Sequence, residues 1–349
     1  NQDFSQEEAV FPEAVCAKRF MYTAWLKNAD AIIDFCKLKS HGMMGMSNAA
    51  KNLFGVIPGT MKPEYHYKYP KIEDFANMIV DLCEYCKPRL CICDAVVGME
   101  GNGPTQGSAR PIGCLLAAES PHALDLVACG LIGLRPDEVP TLTAAIRRFW
   151  KECGGVTVFS WHMDHPYCET GFKQASYRYK SDGDDRNAIK QILDGTGRPC
   201  GTGSIDGKTH RTPFANPRAW YFASLQEIAA FFKGLVDEET GEPIPVILRY
   251  GHEMDGTWFW WGRTWCTSAE FRTFSRLTAD FLRKACGDNQ ILFAYTPDRT
   301  WKAFGQEGDA ENTYLACYPG DAYVDIVGLD DYSIGHGDDV KAEASFTET

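Results

Sequence analysis

The amino-acid sequence predicts an α/β protein in two parts, an N-terminal mostly parallel α/β portion followed by an incomplete (β/α)8 barrel of the TIM type. Short apolar segments alternate with amphipathic helical segments in both halves, which is the pattern of strands crossing to helices. In the second half this strand-then-helix order repeats in series, as barrels require. Residues 152–349 number 198, and a full barrel takes about 250 residues. We therefore expect part of a barrel.

Composition and charge exclude several classes of protein. Of the 349 residues, 44% are hydrophobic and 23% charged, which excludes a disordered or collagen-like chain. The longest apolar stretch, 112–134, is interrupted by Glu119, His122 and Asp125, so we expect no membrane span. The net charge of −12 disfavours nucleic acid as a partner. Residues 1–150 contribute 17 acids and 15 bases, and the remainder 30 and 20, so most of the negative charge lies in the second half.

The first half contains helical and strand patterns in alternation. Apolar residues recur every three or four positions from Ile72 to Cys86, which predicts a helix that Lys87-Pro88 ends. Ser120 and Pro121 predict the start of a second helix. Pro140 predicts the start of a third helix, which ends at Gly154. The other predicted elements are a buried strand at 89–97, a glycine-rich turn at 98–104 and a strand at 112–117.

The second half repeats strands that run into polar and aromatic residues. Two pairs, Ser224 with Glu227 and Thr267 with Glu270, have the spacing of a capping box and predict two helix starts. The second of these helices ends near Gly287. The predicted strands are 156–160, 245–250, 291–295 and 324–329. No linker is visible between the halves, and we place the domain boundary between 148 and 149.

Four cysteines in the first half have spacings that suggest a zinc site or an iron–sulfur cluster. They are Cys83 and Cys86, then Cys91 and Cys93. The first two lie on the apolar face of the predicted helix, and the other two share one face of a buried strand. Core packing is therefore the preferred interpretation, and we expect neither a metal nor another cofactor.

The strongest chemical signal follows the strand at 245–250, in the segment 249–262 with the sequence RYGHEMDGTWFWWG. A carboxylate, Glu253, stands beside His252, and Trp258 and Trp261 follow closely. Sugar C–H faces stack on aromatic rings, and a carboxylic acid can protonate a glycosidic oxygen. The alternative, that the tryptophans only fill a core, is less favoured for a polar loop bracketed by glycines.

This segment resembles the motif RPFHEMNGxWFWWG of glycoside hydrolase family 26, typified by β-mannanases, and departs from it at Tyr250, Gly251 and Asp255. The resemblance implies a retaining endo-acting hydrolase of β-1,4-mannan, with Glu253 as general acid/base and His252 beside it in the active site. It also implies a polysaccharide partner and a secreted or periplasmic location, although the chain shows no signal peptide.

Two further segments resemble the same family, in family order. The segment 156–166 ends SWHMDHP, which implies that Trp161 and His162 contact sugar; taken alone, His162 would more often be a structural histidine. The segment 318–332 ends GLDDY, and Tyr332 inherits the role of orienting the nucleophile. Trp258, Trp261 and His252 complete the substrate-binding residues implied.

A retaining mechanism needs a second carboxylate about 5–5.5 Å from the first. Glu348 lies in FTET, which resembles the family's LTET ending. A helix and a strand do not fit comfortably between Tyr332 and Glu348, so we expect the nucleophile to lie beyond residue 349 and this chain to be impaired.

The first half resembles domain-of-unknown-function family 362 over about residues 15–147. The resemblance rests on DFCKLKSHG (34–42), AKNLFGVIPG (50–59) and DAVVGMEGNGP (94–104), and members of that family often accompany iron–sulfur modules. Near these turns Glu100 could bind a metal or a polar ligand, and four side chains could hold an anion, namely Lys37, Lys39, His41 and Lys51. Solvated loops are the simpler interpretation of each.

The sequence thus favours a glycoside hydrolase of the β-mannanase type. Two alternatives stay open. One is an iron–sulfur-associated redox or ligand-binding protein governed by the first half, and the other is a catalytically inactive carbohydrate-binding module.

Overall fold

The computed structural model describes residues 5–167, 186–200, 214–298 and 314–330. The chain divides into two compact units, residues 1–154 and 155–349. The boundary expected at 148/149 falls inside a helix of the first unit, and the division follows the end of that helix. No helix in the described ranges has the length and hydropathy to cross a membrane.

The first unit is built on a mixed sheet. Strands β1 (Gln6–Val10) and β2 (Arg19–Thr23) form a separate antiparallel pair. The main sheet has the order β4-β3-β5-β6, in which only β3 and β5 are parallel. Its strands are β3 (Ile33–His41), β4 (Gly45–Ser47), β5 (Leu90–Glu100) and β6 (Ser108–Ala118).

The expectation of a mostly parallel sheet in this half was therefore wrong. β5 and β6 are joined directly by the glycine-rich turn, and strands joined by a tight turn pair antiparallel. The same holds for β3 and β4. Only β3 and β5 have a helical crossover between them, and a parallel pair needs one.

Three of the five described helices of the first unit were predicted, and they begin close to the expected positions, whereas the short helices α1 and α2 were not predicted. Ser120 accepts a hydrogen bond from the backbone N–H of Ala123, which confirms the predicted cap. The helices are α1 (Ala49–Asn52), α2 (Lys62–Lys68), α3 (Ile72–Cys86), α4 (Pro121–Leu131) and α5 (Pro140–Cys153). Short 3₁₀ turns cover Ala24–Asn28, Leu53–Val56, Gly59–Met61 and Pro136–Glu138.

The four closely spaced cysteines pack in apolar cores, as the sequence predicts. Cys83 and Cys86 belong to one cluster of buried side chains, with Phe54, Phe75 and Ile79. Cys91 and Cys93 belong to a second cluster, formed with residues such as Leu124. Among the residues described here, no group of three or more histidine, cysteine or acidic side chains could hold a metal ion.

The described part of the second unit is a parallel sheet whose strand order follows the chain. Its order is β7-β8-β9-β10, all pairs parallel. The strands are β7 (Thr157–Trp161), β8 (Val246–Tyr250), β9 (Ile291–Tyr295) and β10 (Ile326–Val327), and the helices are α6 (Ala188–Asp194), α7 (Pro217–Gly234) and α8 (Ser268–Cys286). Two 3₁₀ turns, Leu315–Cys317 and Asp321–Tyr323, precede β10. Sequential parallel neighbours with helices between them are the arrangement of a (β/α) barrel wall.

One predicted helix start in this unit was wrong. Helix α7 begins at Pro217, where Asn216 accepts a hydrogen bond from the N–H of Ala219. Ser224 therefore lies inside the helix, and its hydroxyl donates to the carbonyl of Trp220 four residues earlier. A capping-box spacing can occur within a helix, because it needs only two residue types three positions apart. The Thr267–Glu270 box is confirmed, with reciprocal bonds at the start of α8.

Candidate active site

The candidate site lies at the C-terminal ends of the parallel strands. His162 follows β7, the segment from Gly251 to Gly262 follows β8, and Asp330 follows β10. Carboxyl ends of parallel strands meet at one edge of a sheet, where barrel enzymes carry their chemistry. The structure thus brings together residues from three separate sequence motifs.

The backbone at the end of β8 takes an unusual path. Gly251 has φ +56° and Glu253 has φ +52°. A Cβ on Gly251 would lie 3.1 Å from the ring of Phe271, so both the conformation and the space favour glycine here, where the family motif has phenylalanine. For Glu253 a left-handed backbone is strained by about 1–3 kcal/mol. Its N–H donates to the carbonyl of Thr296 at 2.8 Å, which helps to hold this conformation.

The Glu253 carboxyl is nearly buried and is oriented by an indole. Its residue is only 6% exposed. The Nε1–H of Trp258 donates to Oε2 of Glu253 at 2.5 Å, and Trp258 itself is only partly buried. A carboxyl group therefore stands next to an aromatic surface that a ligand can reach.

Two histidines lie near this carboxyl. His252 precedes Glu253 in the chain, and His162, which follows β7, contacts His252. Nε2 of His252 lies 3.2 Å from Nε2 of His162, so one ring donates to the other. Burial lowers the pKa of His252 to about 3, with Arg249 and His162 adding to the effect. His252 is therefore neutral at pH 7. The ring of Phe259 packs against both histidines, with centroid distances of 4.9 and 5.9 Å.

Two of the tryptophans expected to contact sugar pack elsewhere. Trp261 is completely buried; its Nε1–H donates to the carbonyl of His252 at 2.8 Å and its ring stacks on Phe259. Trp261 therefore holds the backbone of His252 through this hydrogen bond, and it has no exposed surface for a ligand to contact. The Trp161 ring lies parallel to that of Tyr221 in α7, with centroids 6.0 Å apart. Tyr332 and Glu348 lie outside the described residues.

The orientation of Trp161 follows from strand alternation. Side chains two positions apart in a strand share a face. Phe159, two residues earlier, packs on Phe231 and Phe232 of α7. Trp161 therefore faces the helix as Phe159 does, and the adjacent Ser160 faces the other side.

Arg249 is a site residue that the sequence analysis did not single out. Its guanidinium donates to Ser160 Oγ at 2.6 Å and to Thr296 Oγ1 at 2.8 Å, and it forms an ion pair with Asp330. It thereby links the C-terminal ends of all four strands. Burial raises the pKa of Asp330, and Arg249 opposes that rise. A signal existed in the sequence, because an arginine within an otherwise apolar strand needs a polar partner.

We expect Arg249→Met to lower the free energy of unfolding by about 2 kcal/mol at pH 7, because it leaves the Asp330 carboxylate partly buried without its partner. Without Arg249 the folded-state pKa of Asp330 rises further above the unfolded value. The native variant then gains a proton as pH falls, so its deficit should shrink toward acidic pH. Urea unfolding at several pH values measures the difference in unfolding free energy between the variant and the unchanged protein.

The control is Arg19→Met, which removes the exposed pair with Glu8 and should cost under about 0.5 kcal/mol. Equal losses in the two variants would contradict the prediction.

Two family models match the chain. Residues 2–130 match a domain of unknown function, DUF362, and residues 215–347 match glycosyl hydrolase family 26. The matched ranges are shorter than the resemblances that the motifs suggest, and the segment with Trp161 and His162 precedes the second one.

Curated relatives match parts of the chain. A mannan endo-1,4-β-mannosidase of Bacillus subtilis strain 168 is 27% identical over 190 residues, which cover 53% of this chain and 41% of that protein. The mannan endo-1,4-β-mannosidase of Bifidobacterium adolescentis is 40% identical over 92 residues, 26% of this chain and 9% of that protein. A thylakoid-associated protein of Synechocystis, sll1697, is 39% identical over 121 residues, 34% of this chain and 38% of that protein.

Among solved structures, GH26C from Muricauda sp. is similar at 31% identity with a TM-score of 0.40, covering 55% of this chain and 43% of that one. The chain spans less than half the length of each of these relatives. Both resemblances that the motifs indicate are nevertheless confirmed: residues 2–130 match the model of DUF362, and residues 215–347 match the model of glycosyl hydrolase family 26.

Proposed function

We propose that this chain is a retaining, endo-acting glycoside hydrolase of β-1,4-mannan or a related hemicellulose, with Glu253 as general acid/base. The observation that carries the proposal is the nearly buried Glu253 carboxyl, bonded to the partly exposed indole of Trp258 beside a hydrogen-bonded pair of histidines. The mannan endo-1,4-β-mannosidases similar to the second half support the choice of polysaccharide.

In the proposed first step Glu253 gives its proton to the glycosidic oxygen as the bond to the sugar breaks. Trp258 holds one carboxyl oxygen through its N–H, which fixes the direction of the group. The same indole offers a face on which the C–H side of a pyranose can stack. His252 is only 2% exposed, with Nδ1 buried and Nε2 bonded to Nε2 of His162, so its role is to orient His162. His162 is exposed and is the histidine that can contact a sugar hydroxyl.

The retaining mechanism also needs a nucleophile, whose carboxylate attacks the sugar carbon from the opposite face and forms a covalent glycosyl-enzyme. Glu348 is the candidate within the chain. The segment between Tyr332 and Glu348 is short for a helix and a strand, so we expect slow turnover and propose that the activity of this chain is impaired.

Release of reducing ends from β-1,4-mannan tests the function, with mixed-linkage β-glucan and β-1,3-xylan as competing substrates. We expect slow hydrolysis with mannan preferred. Fast turnover that Glu348→Gln abolishes would assign the nucleophile to Glu348 and end the claim of impairment. Mannan binding without any hydrolysis would favour a carbohydrate-binding module, and the absence of both would overturn the proposal.

A further inference from the structure

Three basic side chains in the first unit contact two buried phenylalanine rings, and a fourth, His41, interacts electrostatically with two of them. The nitrogen of Lys51 lies 5.2 Å from the centroid of Phe54 and 5.5 Å from that of Phe75, and the nitrogen of Lys62 lies 5.8 Å from Phe54. The His66 ring stacks on Phe75 at 4.5 Å and meets Phe54 edge-on at 5.7 Å. We call Lys51, Lys62, His66 and the adjacent His41 the basic cluster.

Burial and nearby positive charge both disfavour the protonated forms of the groups in this cluster. Burial lowers the pKa of Lys51 to about 8, and Lys62 adds to the effect. Burial lowers the pKa of His41 to about 4, with contributions from Lys51 and His66. The pKa of His66 is also lowered, by burial and by Lys51. Each of these groups therefore interacts unfavourably with at least one other cation of the cluster.

Several other cations of this unit pair with carboxylates, whereas the basic cluster forms no ion pair with any residue that the structure describes. Lys37 pairs with Asp94 at 2.7 Å, Arg148 pairs with Asp81 at 2.8 Å, and Lys27 pairs with Glu7. Over the ranges that the structure describes, no ion pair or hydrogen bond engages the ammonium groups of Lys51 and Lys62. Contacts with the phenylalanine rings stabilise these cations, but they use no N–H donor in a hydrogen bond to oxygen.

His41 adds a donor of defined direction. Its Nδ1 accepts hydrogen bonds from the backbone N–H groups of Met43 and Met44, both at 3.2 Å. An imidazole that accepts at Nδ1 carries its proton on Nε2. The neutral His41 therefore has an Nε2–H donor, and its ring lies within electrostatic reach of Lys51 and His66.

We propose that the basic cluster binds a phosphate-class oxyanion, either free phosphate or the phosphate of a monoester. A doubly charged anion with three or more oxygens offers acceptors for the two ammonium groups and the imidazoles, and it cancels their mutual repulsion. The site differs from the anion site that the sequence suggests: Lys37 is occupied by Asp94, and Lys62 and His66 take part instead. This inference concerns the first unit and is independent of the proposed hydrolase function.

Titration calorimetry on the full chain tests the proposal, with inorganic phosphate in one arm and methyl phosphate in the other. We expect Lys51→Gln to weaken binding at least about tenfold, since it removes a charged hydrogen-bond donor. Lys62→Gln should weaken it similarly and serves if Lys51→Gln fails to fold. Lys37→Gln makes the same change of charge outside the cluster and should alter binding less than about twofold. Preference for one of the two arms distinguishes free phosphate from a monoester.

Histidine resonances locate the anion within the molecule. In protein labelled with ¹³C at histidine Cε1, phosphate should shift the signals of His41 and His66 and leave that of His252, in the second unit, in place. The proposal is overturned if neither phosphate compound binds at millimolar concentration. It is equally overturned if Lys37→Gln weakens binding as much as Lys51→Gln, or if the shifts appear outside the cluster.

Discussion

Glu253→Gln is expected to lower the rate of mannan hydrolysis by about 10²–10⁴-fold while mannan binding changes less than about twofold. Glutamine has nearly the shape of glutamate, and its carbonyl oxygen can still accept the hydrogen bond from Trp258 Nε1. It cannot transfer a proton to the glycosidic oxygen. The loss should therefore fall on kcat rather than on binding.

The leaving group separates loss of the acid from general damage to the site. An aryl mannoside with a strongly acidic phenol leaves without protonation, so Glu253→Gln should slow release of that phenol far less than it slows hydrolysis of mannan. Glu242→Gln, an exposed glutamate just before β8, is the matched control and should leave both rates unchanged. Equal loss with both substrates, or complete loss of mannan binding, would contradict the assignment of Glu253 as acid.

Local patterns predicted most helices and strands of this fold. The helix at 72–86 and the strand at 291–295 have the bounds that the sequence predicts. Amphipathic spacing and the residues that end an element act within a few positions, so one sequence contains the necessary information. The pairing of β3 with β5 is different, because these strands are separated by three helices and meet only after the chain has folded. The parallel pairing of β3 with β5 agrees with the expectation, and the error lies in the short connections: the glycine-rich turn was recognised in the sequence, but the antiparallel pairing of β5 with β6 that it imposes was not.

The candidate site was predictable in its residue types and less so in their orientation. Glu253, His252, His162 and Trp258 lie together. Trp261 could not be told from Trp258 by composition, because both are tryptophans of one loop. One of them contacts Glu253 and the other is buried under His252. Which ring faces a ligand depends on the left-handed backbone at Gly251 and Glu253. No short sequence pattern in this segment predicts that backbone conformation.

Asp81 is another residue whose importance the sequence did not indicate. It joins three parts of the first unit. It lies in α3 among apolar residues and is fully buried. Its carboxylate accepts hydrogen bonds from three consecutive backbone N–H groups at 2.7–2.9 Å, those of Val15, Cys16 and Ala17, and forms an ion pair with Arg148 of α5. One side chain therefore fixes a loop to two helices.

We expect Asp81→Ala to lower the free energy of unfolding of the first unit by about 3–5 kcal/mol, because it leaves Arg148, which is 7% exposed, without its buried carboxylate and three N–H groups without an acceptor. Hydrogen exchange of the amides in α3 and α5 measures the loss in this unit alone. Glu73→Ala, at an exposed position in the first turn of α3, is the control and should cost under about 1 kcal/mol. Adding Arg148→Met to Asp81→Ala should cost less than the two separate losses together, since it removes the unpaired charge. Additive losses would mean that the pair contributes nothing beyond its separate contacts.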